Sequence, residues 1–118
     1  MPYIDADIVK AKRQAIRAAF PRKAGWDVSV TRRDHSTILV VFKTGPVALS
    51  AEEYEQINTM YIRKFAPSEE AAVLLEQANT IAADGNRTLY ESSDYGYVPK
   101  FYVDIHVGAW NQPYQVTA

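Results

Sequence analysis

KFYVDIHVGAWNQPY, residues 100–114, decides the fold. In its first half Phe101, Val103, Ile105 and Val107 alternate with Tyr102, Asp104 and His106. A period of two belongs to a β-strand, whose successive side chains point to opposite faces. Lys100 to Val107 therefore reads as the last strand of a sheet. One of its faces is apolar; the other carries Tyr102, Asp104 and His106.

Two strands upstream supply partners. Trp26, Val28 and Val30 alternate with Asp27, Ser29 and Thr31, the pattern of a half-buried strand. Thr37 to Lys43 is apolar on both sides, with Ile38, Val40 and Phe42 on one and Leu39 and Val41 on the other, which marks a central strand. Arg32 to Ser36 is the hairpin connection, and Gly45-Pro46 closes the unit.

Helices fill the rest. Asp5 or Asp7 caps a first helix whose apolar stripe is Ile8, Ala11, Ala15, Ile16, Ala19 and Phe20; its cations, Lys12 among them, fall around the remaining surface. Pro21 ends it. Ser50-Ala51-Glu52-Glu53 has the spacing of a capping box, opening a second helix with Tyr54, Ile57, Tyr61, Ile62 and Phe65 in one stripe. Pro67-Ser68-Glu69-Glu70 opens a third, packed through Leu74, Leu75, Ala78, Ile81 and Ala82, with Gly85 or Asn86 as left-handed cap. Asn86 to Pro99 is irregular, with a short strand at Thr88–Tyr90 and then a loop. The expected order is α-β-β-α-α-β. This is one α+β domain over residues 1–118, with three helices on a three-stranded antiparallel sheet, or a four-stranded one if Thr88–Tyr90 joins it.

Composition narrows the function classes. A length of 118 residues and a hydrophobic share of 47% suit one folded core rather than a disordered chain. The absence of cysteine excludes disulfides, thiolate metal sites and cysteine nucleophiles, and fits a reducing compartment. MPYIDADIVKAKRQ lacks the apolar run of a signal peptide, and no segment approaches the ~20 apolar residues of a membrane span. The expectation is a soluble, cytoplasmic protein without a membrane partner. Charge is uneven along the chain. Residues 1–46 hold nine Lys/Arg against four Asp/Glu, a net +5; residues 47–118 hold four against ten, a net −6. Such polarity marks binding faces of opposite sign unless the fold interleaves the halves.

Asp104 beside His106 has the residue types of a base and its orienting carboxylate, but no cysteine or G-x-S-x-G nucleophile accompanies them. A metal site would have to recruit His35, the only other histidine, from the turn; a lone surface histidine is the commoner case. Arg32, Arg33, His35, Ser36 and Thr37 form a donor-rich stretch that can clamp an anion, or simply make a polar turn. No glycine-rich nucleotide loop is present. The stronger signal is a surface. With helices over Val28, Val40, Phe42, Val103 and Ile105, the opposite sheet face shows Leu39, Val41 and Tyr102 ringed by Ser29, Thr31, Asp104 and His106, the make-up of a contact patch unless a helix or the 86–99 loop covers that face too. Tyr90, Tyr95 and Tyr97 make the 86–99 segment a tyrosine-rich loop, of the kind used in recognition or equally as a cap on the edge of the core.

IVKAKRQAIRAAFP, followed by WDVSVTRRDHSTILVVFKTGPV, resembles the large polyvalent protein-associated domains of phages and conjugative plasmids, in the form with an opening AFP helix and an HSSI-type hairpin. SDYGYVPKFYVDIHVGAWNQPY is similar to the closing segment of small stand-alone relatives in prophages and plasmids. Residues 51–85 match only as helix. The resemblance transfers no catalytic residues and gives His35 and Ser36 a structural role. It implies a mobile-element protein that blunts host defence or assists DNA transfer, although a net charge near zero departs from an acidic DNA mimic. The resulting expectation is a non-enzymatic binding protein that inhibits a bacterial defence complex, as an anti-CRISPR protein does, with no metal or cofactor. Its contact residues are expected to be Arg32, Arg33, His35, Tyr95, Tyr97, Tyr102, Asp104 and His106. A nucleic-acid-binding accessory, resting on the basic amino-terminal half, is the second reading. A small enzyme using Asp104 and His106 is the third. A homodimer formed through the bare sheet face is compatible with each.

Overall fold

The computed structural model of the chain describes residues 3–52, 54–85, 87–89, 97–99, 101–109 and 111–117, without the side chains of 87–89 and 97–99. Asp5 accepts the Asp7 N–H at 2.7 Å and starts helix α1, Ala6–Ala19. Its buried face is Val9, Lys12 and Ile16, continued by Phe20 at the C-cap. The expected stripe is thus rotated: Ile8, Ala11 and Ala15 are exposed and line a groove against the third helix. After a single 3-10 turn at Arg22–Ala24, strands β1 (Asp27–Arg33) and β2 (Thr37–Gly45) form an antiparallel hairpin. Its turn puts Asp34 at φ 56° and His35 at φ 61°, with Ser36 N–H donating to Arg33 C=O at 3.3 Å. Two consecutive left-handed residues make a type I′ turn, whose twist matches the strands it joins.

β3 follows at Glu55–Ile57, then a one-turn helix α2, Ile62–Phe65, and helix α3, Glu69–Ala83. Ser68 caps α3 by accepting the Ala71 N–H at 3.1 Å, and Gly85 follows in the left-handed region at φ 75°. β4 (Arg87–Leu89) and β5 (Tyr97–Pro99) pair with each other and, among the described residues, with no other strand. β6, Tyr102–Val107, returns to the main sheet, and β7, Gln115–Val116, lies beside the end of β2. The sheet order is β1-β2-β6-β3, with β7 as a second partner of β2.

Three expectations are corrected by the structure. The sheet is mixed, because β2 and β6 run parallel from Thr37↔Tyr102 to Phe42↔Val107. Parallel neighbours need a long crossover, and the segment carrying β3, α2 and α3 supplies it. The second helix is replaced by β3 and the single turn α2. Ile57 pairs with Ile105 and Glu55 with Val107 in an antiparallel ladder, so tertiary pairing overrides a helical stripe. Ser50 accepts the Glu52 N–H at 3.0 Å and caps a turn; Glu53 lies outside the described residues. The strand expected at Thr88–Tyr90 is present as β4 but does not join the main sheet, and Tyr97–Pro99, expected as loop, is strand.

Helices α1 and α3 pack on one side of the sheet, and α2 packs on α3, around a core that contains Val28, Val30, Ile38, Val40, Phe42, Ile105 and Val107. Phe20, Trp26 and Phe42 meet edge to face at centroid distances of 5.0, 5.2 and 5.9 Å, an arrangement the ring quadrupoles favour. Trp26 and the Tyr114 hydroxyl lie so close on Gly45 that a Cβ there would overlap both. Tyr114 donates to Val47 C=O at 2.6 Å, and burial pushes its pKa up to about 12. Among the described residues no helix is long and apolar enough to cross a membrane.

Lys12, which the sequence places among the surface cations, is 7% exposed. Its ammonium donates to Ile81 C=O at 3.1 Å and Asp84 C=O at 2.8 Å and lies 5.3 Å from the centre of the Phe101 ring. Those carbonyls are at the carboxyl end of α3, where the last C=O groups lack helical partners and the macrodipole attracts a cation. Burial lowers the Lys12 pKa, and the nearby Asp84 carboxylate opposes that shift. Lys12→Met keeps most of the stem and removes both bonds. It is expected to destabilise the fold by about 2 kcal/mol, the scale of losing hydrogen bonds to a charged group. Urea unfolding measures this; a midpoint unchanged from the parent would show that the bond pair contributes nothing net.

Candidate functional site

The side of the sheet away from the helices is a grid of cross-strand rows. The pairing registers place Ser29, Val41, His106 and Gln56 in one row across β1, β2, β6 and β3. Thr31, Leu39 and Asp104 form the second row, and Arg33, Thr37 and Tyr102 the third. With strands ~4.8 Å apart and rows two residues apart, the grid is about 15 Å on each side. Among the described residues no helix covers it. Leu39 and Val41 are half-buried at its centre, Tyr102 is 50% exposed, and Lys43 continues the β2 row outward.

The floor is apolar and the rim is paired. The Arg33 guanidinium crosses β2 diagonally and binds the Asp104 carboxylate, a hydrogen-bonded ion pair linking β1 to β6. Both groups retain contact with solvent, so the pair fixes geometry more than it stabilises the fold. At the β3 end Tyr54 stacks on His106, with ring centroids 6.2 Å apart and planes 24° from parallel. His106 Nε2 is buried and has no hydrogen-bond partner among the described residues. This burial lowers the His106 pKa; the Asp104 carboxylate raises it and the Arg33 guanidinium lowers it further. No hydrogen bond joins Asp104 to His106 among the described residues, because the carboxylate is turned toward Arg33.

Arg33, Tyr102, Asp104 and His106 are therefore brought together on one face. Arg32 is on the helix side, donating to Ile4 C=O at 3.3 Å, as the two-residue period requires once Arg33 is on the bare side. His35 is the exposed tip of the hairpin turn, and its carbonyl accepts the Ile4 N–H at 2.9 Å. The turn tip lies beyond Thr37, whereas His106 pairs with Val41, four residues farther along β2, or about 13 Å. A joint His35–His106–Asp104 metal site does not form, and among the described residues no group of three potential ligands is assembled. Tyr95 lies outside the described residues, as does Tyr90; of Tyr97 only the backbone, in β5, is described. Sequence reasoning missed Tyr54 and Gln56 on this face, because residues 50–65 read as a helix with Tyr54 in its apolar stripe. The signal that could have found them is the alternation Tyr54, Gln56 against Glu55, Ile57.

Comparison of the chain with protein-family models, with curated proteins and with solved structures found no match.

The His106 environment has a definite pH consequence. A histidine pKa depressed on folding means that the unfolded chain binds the proton more tightly. Stability is then fully present above the unfolded pKa, about 6.5, and falls as pH drops from there toward the folded pKa. His106→Gln removes the titration. Urea midpoints at about pH 7.5 and 5 should fall less in the variant than in the parent. Equal falls would assign the acid sensitivity to other groups.

Proposed function

We propose that the chain is a non-enzymatic binding protein of a mobile genetic element, acting in the cytoplasm by occupying a surface of a bacterial defence complex in the manner of an anti-CRISPR protein. One observation carries the binding part: the sheet face that is bare among the described residues, with Leu39 and Val41 as floor, Tyr102 exposed beside them, and the Arg33–Asp104 pair at the rim. An apolar centre with an aromatic group and a charged, hydrogen-bonding rim is the anatomy of a protein contact. The resemblance of the amino-terminal helix and hairpin to phage and plasmid domains supplies the mobile-element setting. Asp104 bonded to Arg33 and His106 covered by Tyr54 favour a contact role for both residues over acid–base chemistry. A self-paired dimer through this face is the competing use of the same residues.

The basic half supports a second reading, an accessory that touches nucleic acid. α1, β1 and β2 carry the cations and lie together at one end of the sheet order. Exposed Arg17, Arg22, Lys23 and Lys43 are the groups that would meet phosphates.

The test places the gene in bacterial hosts that each carry one active defence system and measures phage plating. Restoration of plating by the parent in one host is the expected result. Tyr102→Ala should weaken binding to the co-purified complex at least tenfold, the loss of a single aromatic anchor. Arg33→Ala should reduce binding while changing stability by under about 1 kcal/mol, as expected for a solvated pair. No protection in any host, with steeply salt-dependent binding to duplex DNA, would transfer the assignment to the nucleic-acid reading.

A further inference from the structure

The two outer edges of the sheet are treated differently. Phe42 C=O accepts the Gly108 N–H at 2.8 Å and Ser36 C=O accepts the Tyr102 N–H at 2.7 Å, so the even-numbered residues of β2 turn their backbone groups toward β6. Opposite them, Val28 and Val30 of β1 turn theirs outward. That edge is engaged: the Arg13 side chain from α1 donates to Val30 C=O at 2.9 Å. At the other end the same alternation turns the backbone groups of Ile105 and Val107 in β6 toward β3, so Glu55 and Ile57 are bonded inward. Gln56 is left with both its N–H and its C=O turned outward. Among the described residues no strand pairs with that edge.

Beside this edge, on the helix side, is a cavity of about 180 Å³. It lies between β3, α2 and α3 and is lined by Leu49, Ile57, Tyr61, Ile62, Phe65 and Leu75, among others. Tyr61 and Phe65 are more than half exposed at its mouth. The volume is below the roughly 300–1,000 Å³ of small-molecule sites. It is close to the ~150 Å³ apolar cavity that accepts a benzene ring. It is therefore the size for one side chain. Glu55 alone among its lining residues is charged, with Glu52 exposed just upstream. The Lys64 ammonium lies 5.9 and 5.5 Å from the Tyr61 and Phe65 ring centres, on the α2 side.

The geometry points to a second docking site, in which an extended peptide segment of a partner adds a strand to β3 and inserts one aromatic or large aliphatic side chain into the 180 Å³ cavity, with lysine or arginine next to it facing Glu52 and Glu55. A peptide residue opposite Gln56 exchanges two backbone hydrogen bonds with it, and its own side chain joins the bare face. The next residue points to the helix side, where the cavity opens. Strand addition supplies the backbone bonds and the pocket supplies selectivity. The site shares Gln56 with the bare face but uses none of Arg33, Tyr102, Asp104 or His106.

The probe is a nine-residue peptide of alternating lysine and valine with one central phenylalanine, titrated into the full chain and followed by NMR. Shifts should concentrate at residues 54–58 and 61–65. Phe65→Ala, at a 58% exposed position that the fold does not need, should weaken binding at least tenfold. Tyr102→Ala should leave it unchanged, which separates this site from the bare face. N-methylating the peptide residue opposite Gln56 should abolish binding, whereas methylating its neighbour should not. Equal binding of both methylated peptides would overturn strand addition, and equal binding of a glutamate-for-lysine peptide would overturn the charge preference. A concentration-dependent dimer dissociated by Phe65→Ala would overturn the proposal by giving the edge to a second copy.

Discussion

The parallel pairing of β2 with β6 is the constraint on which the remaining structure depends. Six successive pairs, Thr37↔Tyr102 to Phe42↔Val107, place Ile38, Val40, Phe42, Val103, Ile105 and Val107 on one side. The same register places Thr37, Leu39, Val41, Tyr102, Asp104 and His106 on the other. A slip of one residue would exchange these sets and put an aspartate and a histidine against Phe20 and Leu75. The register is held at both ends by backbone bonds, Ser36 C=O to Tyr102 N–H and Phe42 C=O to Gly108 N–H. It also determines which edge residue of β3 turns outward, because the alternation of bonded and free backbone groups passes strand to strand.

That pairing is also the seam between the basic and acidic halves of the chain. α1, β1 and β2 are on one side of it, and β6, β3, α2 and α3 on the other. Among the described residues the amino-terminal and carboxyl-terminal halves therefore lie side by side across this pairing. Among the described residues two cations cross the seam. Arg33 binds Asp104 on the bare face, and Lys12 caps the carboxyl end of α3 on the helix side. They differ in consequence. Lys12 is buried, and its bonds hold α1 against α3; Arg33 is solvated and orients side chains.

The strands were legible where one face alternates cleanly, as in Val28–Thr31 and Val103–Val107, and where both faces are apolar, as in β2. The first helix cap was legible as Asp5 or Asp7, because a single side chain creates it; at the third helix Pro67 and the acids marked the start, and the structure uses Ser68 as the cap. The parallel sense of β2 and β6 was not, since alternation determines faces but says nothing of direction. Residues 54–65 misled because Tyr54, Ile57, Tyr61 and Phe65 satisfy a helical period. The structure uses Ile57 as a strand residue against Ile105, a partner 48 positions away that no local pattern reveals. Lys12 was misread for a related reason: its partners are carbonyls at the end of another helix, and carbonyls have no sequence signature. Of the site, Tyr102, Asp104 and His106 followed from the period of two, and Arg33 joined them by register. Arg32 was assigned to the contact set with its neighbour although adjacent strand residues cannot share a face.

The bare face is small for its proposed work. A grid about 15 Å on each side offers a few hundred Å², while a standard interface takes about 800 Å² from each partner. A partner seated there must therefore extend past the grid, over the hairpin toward the basic half or past Gln56 toward the acidic edge. Because the Arg33–Asp104 pair lies on the boundary between the two, such a partner meets opposite charges on either hand. Turning it by half a revolution would set like charges against each other along the same surface. Like-charge juxtaposition costs several kcal/mol, whereas rim charges contribute little net affinity. For the proposed partner, the seam would set the direction in which it lies across the sheet, while the apolar floor and Tyr102 would supply the attraction.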